Sequence, residues 1–139
     1  MGEMERFPSN GGWSDGYLAR PRSGRGPGVI VIQEWWGLND QIKGVCHLLA
    51  GEGFNALAPD LYHGKSAQIG EPDEAKKLMM EMSQAGTAAK DARGAAQYVA
   101  KHPATSSKKI GVIGFCMGGG LALLTGAEAP DTIGAIVDC

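Results

Sequence analysis

Ile110-Gly111-Val112-Ile113-Gly114-Phe115-Cys116-Met117-Gly118-Gly119-Gly120 is the stretch on which the reading of this chain turns. Residues 108–115 read as a buried strand, and residues 118–127 as a helix that opens in glycine. Where a strand passes into a helix through so short a joint, the two backbones nearly touch, and small residues are needed on either side. Gly114-Phe115-Cys116-Met117-Gly118 meets that need in the pattern G-x-nucleophile-x-G, the form of a strained strand-to-helix elbow that exposes a reactive side chain. A helix N-terminus behind Cys116 favours the thiolate, the reactive form of cysteine. The backbone N–H of Met117 would then point at the oxyanion formed in acyl transfer. The plainer alternative is a buried cysteine in a glycine-rich turn of a nucleotide-binding fold. Gly111, Gly114 and Gly118 are spaced G-x-x-G-x-x-x-G, however, and a dinucleotide fingerprint needs G-x-G-x-x-G.

Working outward, Gly28-Val29-Ile30-Val31-Ile32-Gln33 is a continuous β-branched run, as expected of a strand covered on both faces. Asn39 or Asp40 can cap a helix carrying Ile42, Val45, Cys46 and Leu49 on one side, ended by Gly51 or Gly53. Asn55-Ala56-Leu57-Ala58 reads as a second buried strand stopped by Pro59-Asp60, with Asp60 fixing the following turn. After a loop over 65–72, residues 73–83 form a helix with Ala75, Leu78, Met79 and Met82 on one side; Met79, Met80 and Met82 are expected to fill core. Residues 87–101 form an alanine-rich helix with Ala88, Ala92, Ala95, Ala96 and Val99 facing in. Ile133–Asp138 begins a fourth buried strand, and near the N-terminus residues 4–7 and 17–20 pair as a short hairpin. Strands alternating with helices make this an α/β protein with a mostly parallel sheet and helices on both faces. The sequence stops in a strand with no helix to return over it. Residues 1–139 are therefore expected to be the N-terminal portion of a single domain, incomplete before its C-terminal strands and helices.

Composition narrows the function. The formal charge is −2 and no run of Lys or Arg is long, which argues against nucleic acid or an anionic membrane as partner. No apolar stretch approaches the length needed to span a bilayer. Three cysteines, with no C-x-x-C pair, do not suggest a disulfide framework or a zinc site, and the expected location is a reducing cytoplasm. Glu34 follows the first buried strand at its carboxyl end, where ligands bind in open α/β sheets. Between the strand and Trp35-Trp36, partial desolvation would suit it to take a proton from a thiol; an exposed loop acid beside two packing tryptophans is the alternative.

Gln33-Glu34-Trp35-Trp36-Gly37, Ala58-Pro59-Asp60-Leu61-Tyr62-His63-Gly64 and Gly114-Phe115-Cys116-Met117-Gly118-Gly119 together resemble the dienelactone hydrolase (carboxymethylenebutenolidase) family, in its order and spacing and over essentially the whole chain. The resemblance implies an α/β-hydrolase-type fold. It implies Cys116 as nucleophile, Glu34 as the carboxylate that accepts its proton, and the N–H groups of Trp35 and Met117 as the oxyanion hole. It also implies a small lactone or ester as substrate, an acyl-cysteine intermediate, and neither metal nor organic cofactor. Read from the residues themselves, Trp35 and Trp36 either line the pocket mouth, with Trp36 touching substrate, or pack under a loop. The best-known family substrate, dienelactone, belongs to chloroaromatic breakdown.

Two departures from the family pattern stand out. The family's catalytic Asp and His follow the nucleophile at positions beyond residue 139. His47, His63 and His102 all precede Cys116, and Asp131 and Asp138 come too early to be that acid. Residues 66–92 contain no arginine, which in dienelactone-specific members helps hold the substrate carboxylate. Lys65, Lys76 or Lys77 could substitute as point charges, without bidentate geometry. The residues thus lead first to a cysteine-dependent hydrolase whose 139 residues alone do not turn over. A non-catalytic ligand-binding or thiol-sensing domain on the same scaffold comes next, and a nucleotide-binding domain last. Oligomeric state is not legible.

Overall fold

Asn10 and Gly11 take φ of 51° and 78°, the pair of positive angles that a tight two-residue hairpin turn requires. In the computed structural model, which describes residues 2–115 and 117–139, this turn folds β1 (Gly2–Ser9) back on β2 (Gly12–Ala19), pairing Ser9 with Gly12 and Gly2 with Ala19. Both strands are longer than the sequence suggests. Pro8, which looks like a break, is accommodated because β1 lies at a sheet edge.

The sheet has six strands in the order β1-β2-β4-β3-β5-β6, with β3 Gly28–Ile32, β4 Asn55–Pro59, β5 Ile110–Gly114 and β6 Ile133–Asp138. β3 runs parallel to both β4 and β5, and β5 parallel to β6; only the N-terminal hairpin joins antiparallel. Every residue of β3 and β4 is buried. Along β3 the side chains alternate between two cores, Val29 and Val31 on one face, Ile30 and Ile32 on the other. The first face is covered by α1 (Asp40–Gly51), which starts where Asn39 Oδ1 accepts the Ile42 N–H at 3.2 Å. The second face is covered by α3 (Ala88–Lys101) and α4 (Met117–Glu128). α3 approaches closely because its inner side is alanine and glycine; a Cβ on Gly94 would lie 2.9 Å from Ser9 Oγ. α2 (Pro72–Ala85) begins with Pro72 and ends at Gly86 (φ 69°). It covers the loop after β4 through Ala75 and Leu78.

Two expectations need correction. Met80 is 47 % exposed and fills no core, since α2 packs with one narrow side only. β6 is not buried either. It is an edge strand in which only Ile133 is enclosed, and Ile136 and Val137 are exposed. An apolar groove of about 360 Å³ opens beside it, lined by Val29, Leu49, Phe54, Val112 and Val137 among others.

Candidate active site

The elbow is tight because glycine lets it be. A Cβ on Gly114 would lie 1.9 Å from Gly118 O, so strand β5 and the first turn of α4 cross in backbone contact. Gly118 N–H donates to Phe115 C=O at 2.8 Å, closing the joint. A Cβ on Gly118 would meet Gln33 O at 2.6 Å and Ile32 O at 2.9 Å. The start of α4 therefore presses on the carboxyl end of β3 and on Gln33, the residue just before Glu34. Cys116 itself lies outside the described residues. Met117 opens α4, and its backbone N–H is one of the donors that a helix leaves free at its first turn.

Glu34, Trp35 and Trp36 are each half-buried and form a tight turn with Gly37, whose N–H donates to Glu34 C=O at 3.1 Å. Gly37 has φ of 100°, a left-handed conformation at no cost to glycine. No described peptide is cis. In the trans Glu34–Trp35 peptide the C=O and N–H point in opposite directions, so with the carbonyl turned toward Gly37 the Trp35 N–H faces out of the turn. That N–H has no acceptor among the described residues. Trp36 stacks edge-on against Trp35 at 5.4 Å, and both rings lean on Tyr62, Ala67, Ala75 and Leu78.

Sequence reasoning did not find the device that holds this turn. The Tyr62 hydroxyl donates to Trp35 C=O at 2.8 Å, and Ala67 N–H donates to Trp36 C=O at 2.9 Å. Gln33, fully buried, accepts the Leu61 N–H on its Oε1 at 3.0 Å. The loop after β4 is itself pinned. Asp60 Oδ2 accepts the Gly64 N–H at 2.6 Å, as expected of a turn-forming aspartate. Burial raises the Asp60 carboxyl above its ordinary value, against the lowering effect of the N–H groups of Gly64 and Tyr62.

The three histidines are engaged elsewhere. His63, at φ 52°, lies with Nε2 2.9 Å from Asp91 Oδ2, and the buried Asp91 also accepts the Ser9 hydroxyl at 2.7 Å. Asp91 sits between serine and histidine, so the histidine cannot take the serine's proton and the trio ties three elements together. A charged residue on the inward side of an alanine-rich helix was its signal in the sequence. His47 pairs with Tyr17 at 2.6 Å, and His102 Nδ1 accepts the Ala104 N–H at 3.0 Å just past α3. Asp138 directs its carboxylate at the first turn of α4, where a Cβ on Gly119 would lie 1.8 Å from its Oδ1. Cys46 is buried and its thiol is pushed up to about 12 by desolvation. Among the described residues, no group of three or more His, Cys, Asp and Glu is arranged to hold a metal ion, and no helix is long and apolar enough to cross a membrane.

Comparison with known proteins places this geometry. The model of the dienelactone hydrolase family matches residues 14–138. The chain is 45 % identical over 142 residues to Protein usf of Aquifex pyrophilus, covering 99 % of this chain and 60 % of that one. It is 36 % identical over 124 residues to the carboxymethylenebutenolidase of Pseudomonas sp. (strain P51), covering 85 % and 52 %. The crystal structure of a Klebsiella pneumoniae protein described as a "Putative Dienelactone Hydrolase" superposes with a TM-score of 0.80 at 30 % identity, covering 99 % of this chain and 58 % of that one. The fold is thus of the α/β-hydrolase type, and the chain spans 60 % or less of the length of these relatives.

Proposed function

The chain belongs to the dienelactone hydrolase family, and on that premise we propose that Cys116 is the nucleophile of a hydrolase that opens a small lactone or ester. The observation that carries the reading is the packing of Gly118 on the carbonyls of Ile32 and Gln33. It sets the start of α4 beside the turn that bears Glu34 and Trp35. Glu34 takes the thiol proton as substrate enters. The thiolate attacks the acyl carbon, and the carbonyl electron pair moves onto oxygen. The N–H groups of Trp35 and Met117 receive that oxyanion. Collapse expels the alkoxide, which takes up a proton, and leaves an acyl-cysteine; in a lactone the alkoxide stays tethered to the acyl chain. Trp36 borders the opening that admits the substrate.

Water must then be activated to release the acyl group. The resemblance puts the aspartate and histidine for that step in the part of the family's length that these 139 residues do not cover. This chain alone is expected to acylate once and stop. With no arginine in residues 66–92, the proposed substrate class is small lactones and esters rather than dienelactone in particular. A reducing, cytoplasmic setting for the thiols is part of the same proposal.

The test is a burst experiment with p-nitrophenyl acetate. One equivalent of p-nitrophenol per chain, with the acetyl group on Cys116 and none released from Cys116→Ala, supports the reading. Unmodified Cys116 after prolonged exposure contradicts it. Cys116 that resists the ester but oxidises reversibly with dilute peroxide supports the thiol sensor instead.

A further inference from the structure

The turn that carries Glu34 and Trp35 has little of its own to keep it still. It is a four-residue reversal at a strand end, and its one internal bond runs from Gly37 N–H to Glu34 C=O. What fixes its orientation comes from the loop after β4. We infer that Tyr62 is a positioning residue for acyl transfer: by holding the Trp35 carbonyl it fixes the Trp35–Trp36 peptide, and with the Glu34 carbonyl held by Gly37 N–H the Trp35 backbone is clamped on both sides, its N–H kept facing the developing oxyanion. The inference rests on the roles proposed above for Cys116 and Trp35.

Four observations converge on it. The Tyr62 hydroxyl donates to Trp35 C=O at 2.8 Å, and Tyr62 is only 6 % exposed, which limits competition from water. The ring is wedged against the turn: a Cβ on Gly37 would stand 3.1 Å from Tyr62 Cδ2 and 3.2 Å from Lys65 O. The segment bearing Tyr62 cannot drift, because Asp60 holds Gly64 N–H on one side and buried Asp91 holds His63 on the other. Burial pushes the phenol up to about 12, so it remains a donor throughout the pH range of thiolate chemistry. Tyr62 thus transmits the rigidity of α3 and β4 to the Trp35–Trp36 peptide and limits the rotation at Trp35 that would tilt its N–H. An oxyanion donor is effective only when aimed before the reaction begins.

The experiment compares two reactions of one thiol. Acylation by p-nitrophenyl acetate builds an oxyanion; alkylation by iodoacetamide does not. Both are followed at Cys116 by peptide mass mapping, in a Cys139→Ser background because Cys139 is exposed. Tyr62→Phe keeps the ring and removes the hydroxyl. It is expected to slow acylation roughly tenfold or more while leaving alkylation within about twofold. Gly37→Ala presses on the same ring from the turn side and should give the same signature should Tyr62→Phe melt below the assay temperature. Equal rates for parent and variant in both reactions, or a parallel fall in both, overturn the positioning role. Failure of the parent chain to acylate at Cys116 overturns the proposed function and this inference with it.

Discussion

Gly118→Ala tests the contact that joins the elbow to the site. The added methyl would lie 2.6 Å from Gln33 O and 2.9 Å from Ile32 O, against 3.4 Å for ordinary contact. Relief therefore requires a shift of 3.4 − 2.6 = 0.8 Å between α4 and the end of β3. Neither partner can yield by rotating a side chain, since both atoms are backbone. β3 is held between β4 and β5, so α4 must move. Overpacking of this kind costs about 1–3 kcal/mol, or a melting temperature lower by roughly 3–12 °C in a chain of this size. A displacement near an ångström between Met117 N–H and the Glu34 turn should slow acylation by tenfold to on the order of a hundredfold. The control is Gly120→Ala, two residues on in the same helix, where an added Cβ meets nothing within 4 Å. That change should stabilise by about 1 kcal/mol, as alanine for glycine does in an exposed helix, and leave acylation unchanged. Thermal melts by circular dichroism and burst kinetics read both variants. A Gly118→Ala protein with the parent's melting temperature and burst rate would refute the packing argument.

Asp91→Ala strands the buried Ser9 hydroxyl and frees His63; urea titration should show a loss of about 2–3 kcal/mol, and a loss below 1 would mean the trio is not a structural tie. Cys46, with its thiol at about 12 and no exposure, should resist iodoacetamide in the folded chain and react once unfolded; modification at the rate of Cys139 would contradict its placement. The folded chain holds a proton on Asp60 more tightly than the unfolded one does. The stability this contributes is full below the unfolded value of 3.8 and is lost as pH rises through the folded value. Asp60→Asn should therefore gain stability relative to the parent as pH rises above 3.8, read by urea titrations on either side; a constant difference would remove the role of burial.

The parallel centre of the fold was legible because its strands are buried on both faces. Runs such as Val29 to Ile32 leave no polar alternation to misread, and glycine at 114 and 118 announces a close crossing. The ends of the sheet were harder. Pro8 breaks the strand pattern of β1, and only its place at an edge excuses it. β6 has the composition of a buried strand, and Ile136 and Val137 are exposed because none of the described residues forms a helix that returns over it. Met80 shows the same limit at the scale of one residue: helical spacing gives a direction, but how wide a stripe is covered depends on what packs there. At the site, Glu34 stood out by its position after a strand, whereas the role expected of Trp35 came from the family resemblance. Tyr62 and Asp91 were missed because their partners, Trp35 and Ser9, lie 27 and 82 residues away in sequence, and no local pattern records such pairings.

Where an acyl group lands decides whether Cys116 is the nucleophile. Peptide mass mapping after brief reaction of the 139-residue chain with p-nitrophenyl acetate should find a single acetyl group, on Cys116, and Glu34→Gln should slow its arrival without moving it. An acetyl group on Cys139 or a lysine while Cys116 stays free, or no stable adduct at all, would contradict the assignment of Cys116 as nucleophile.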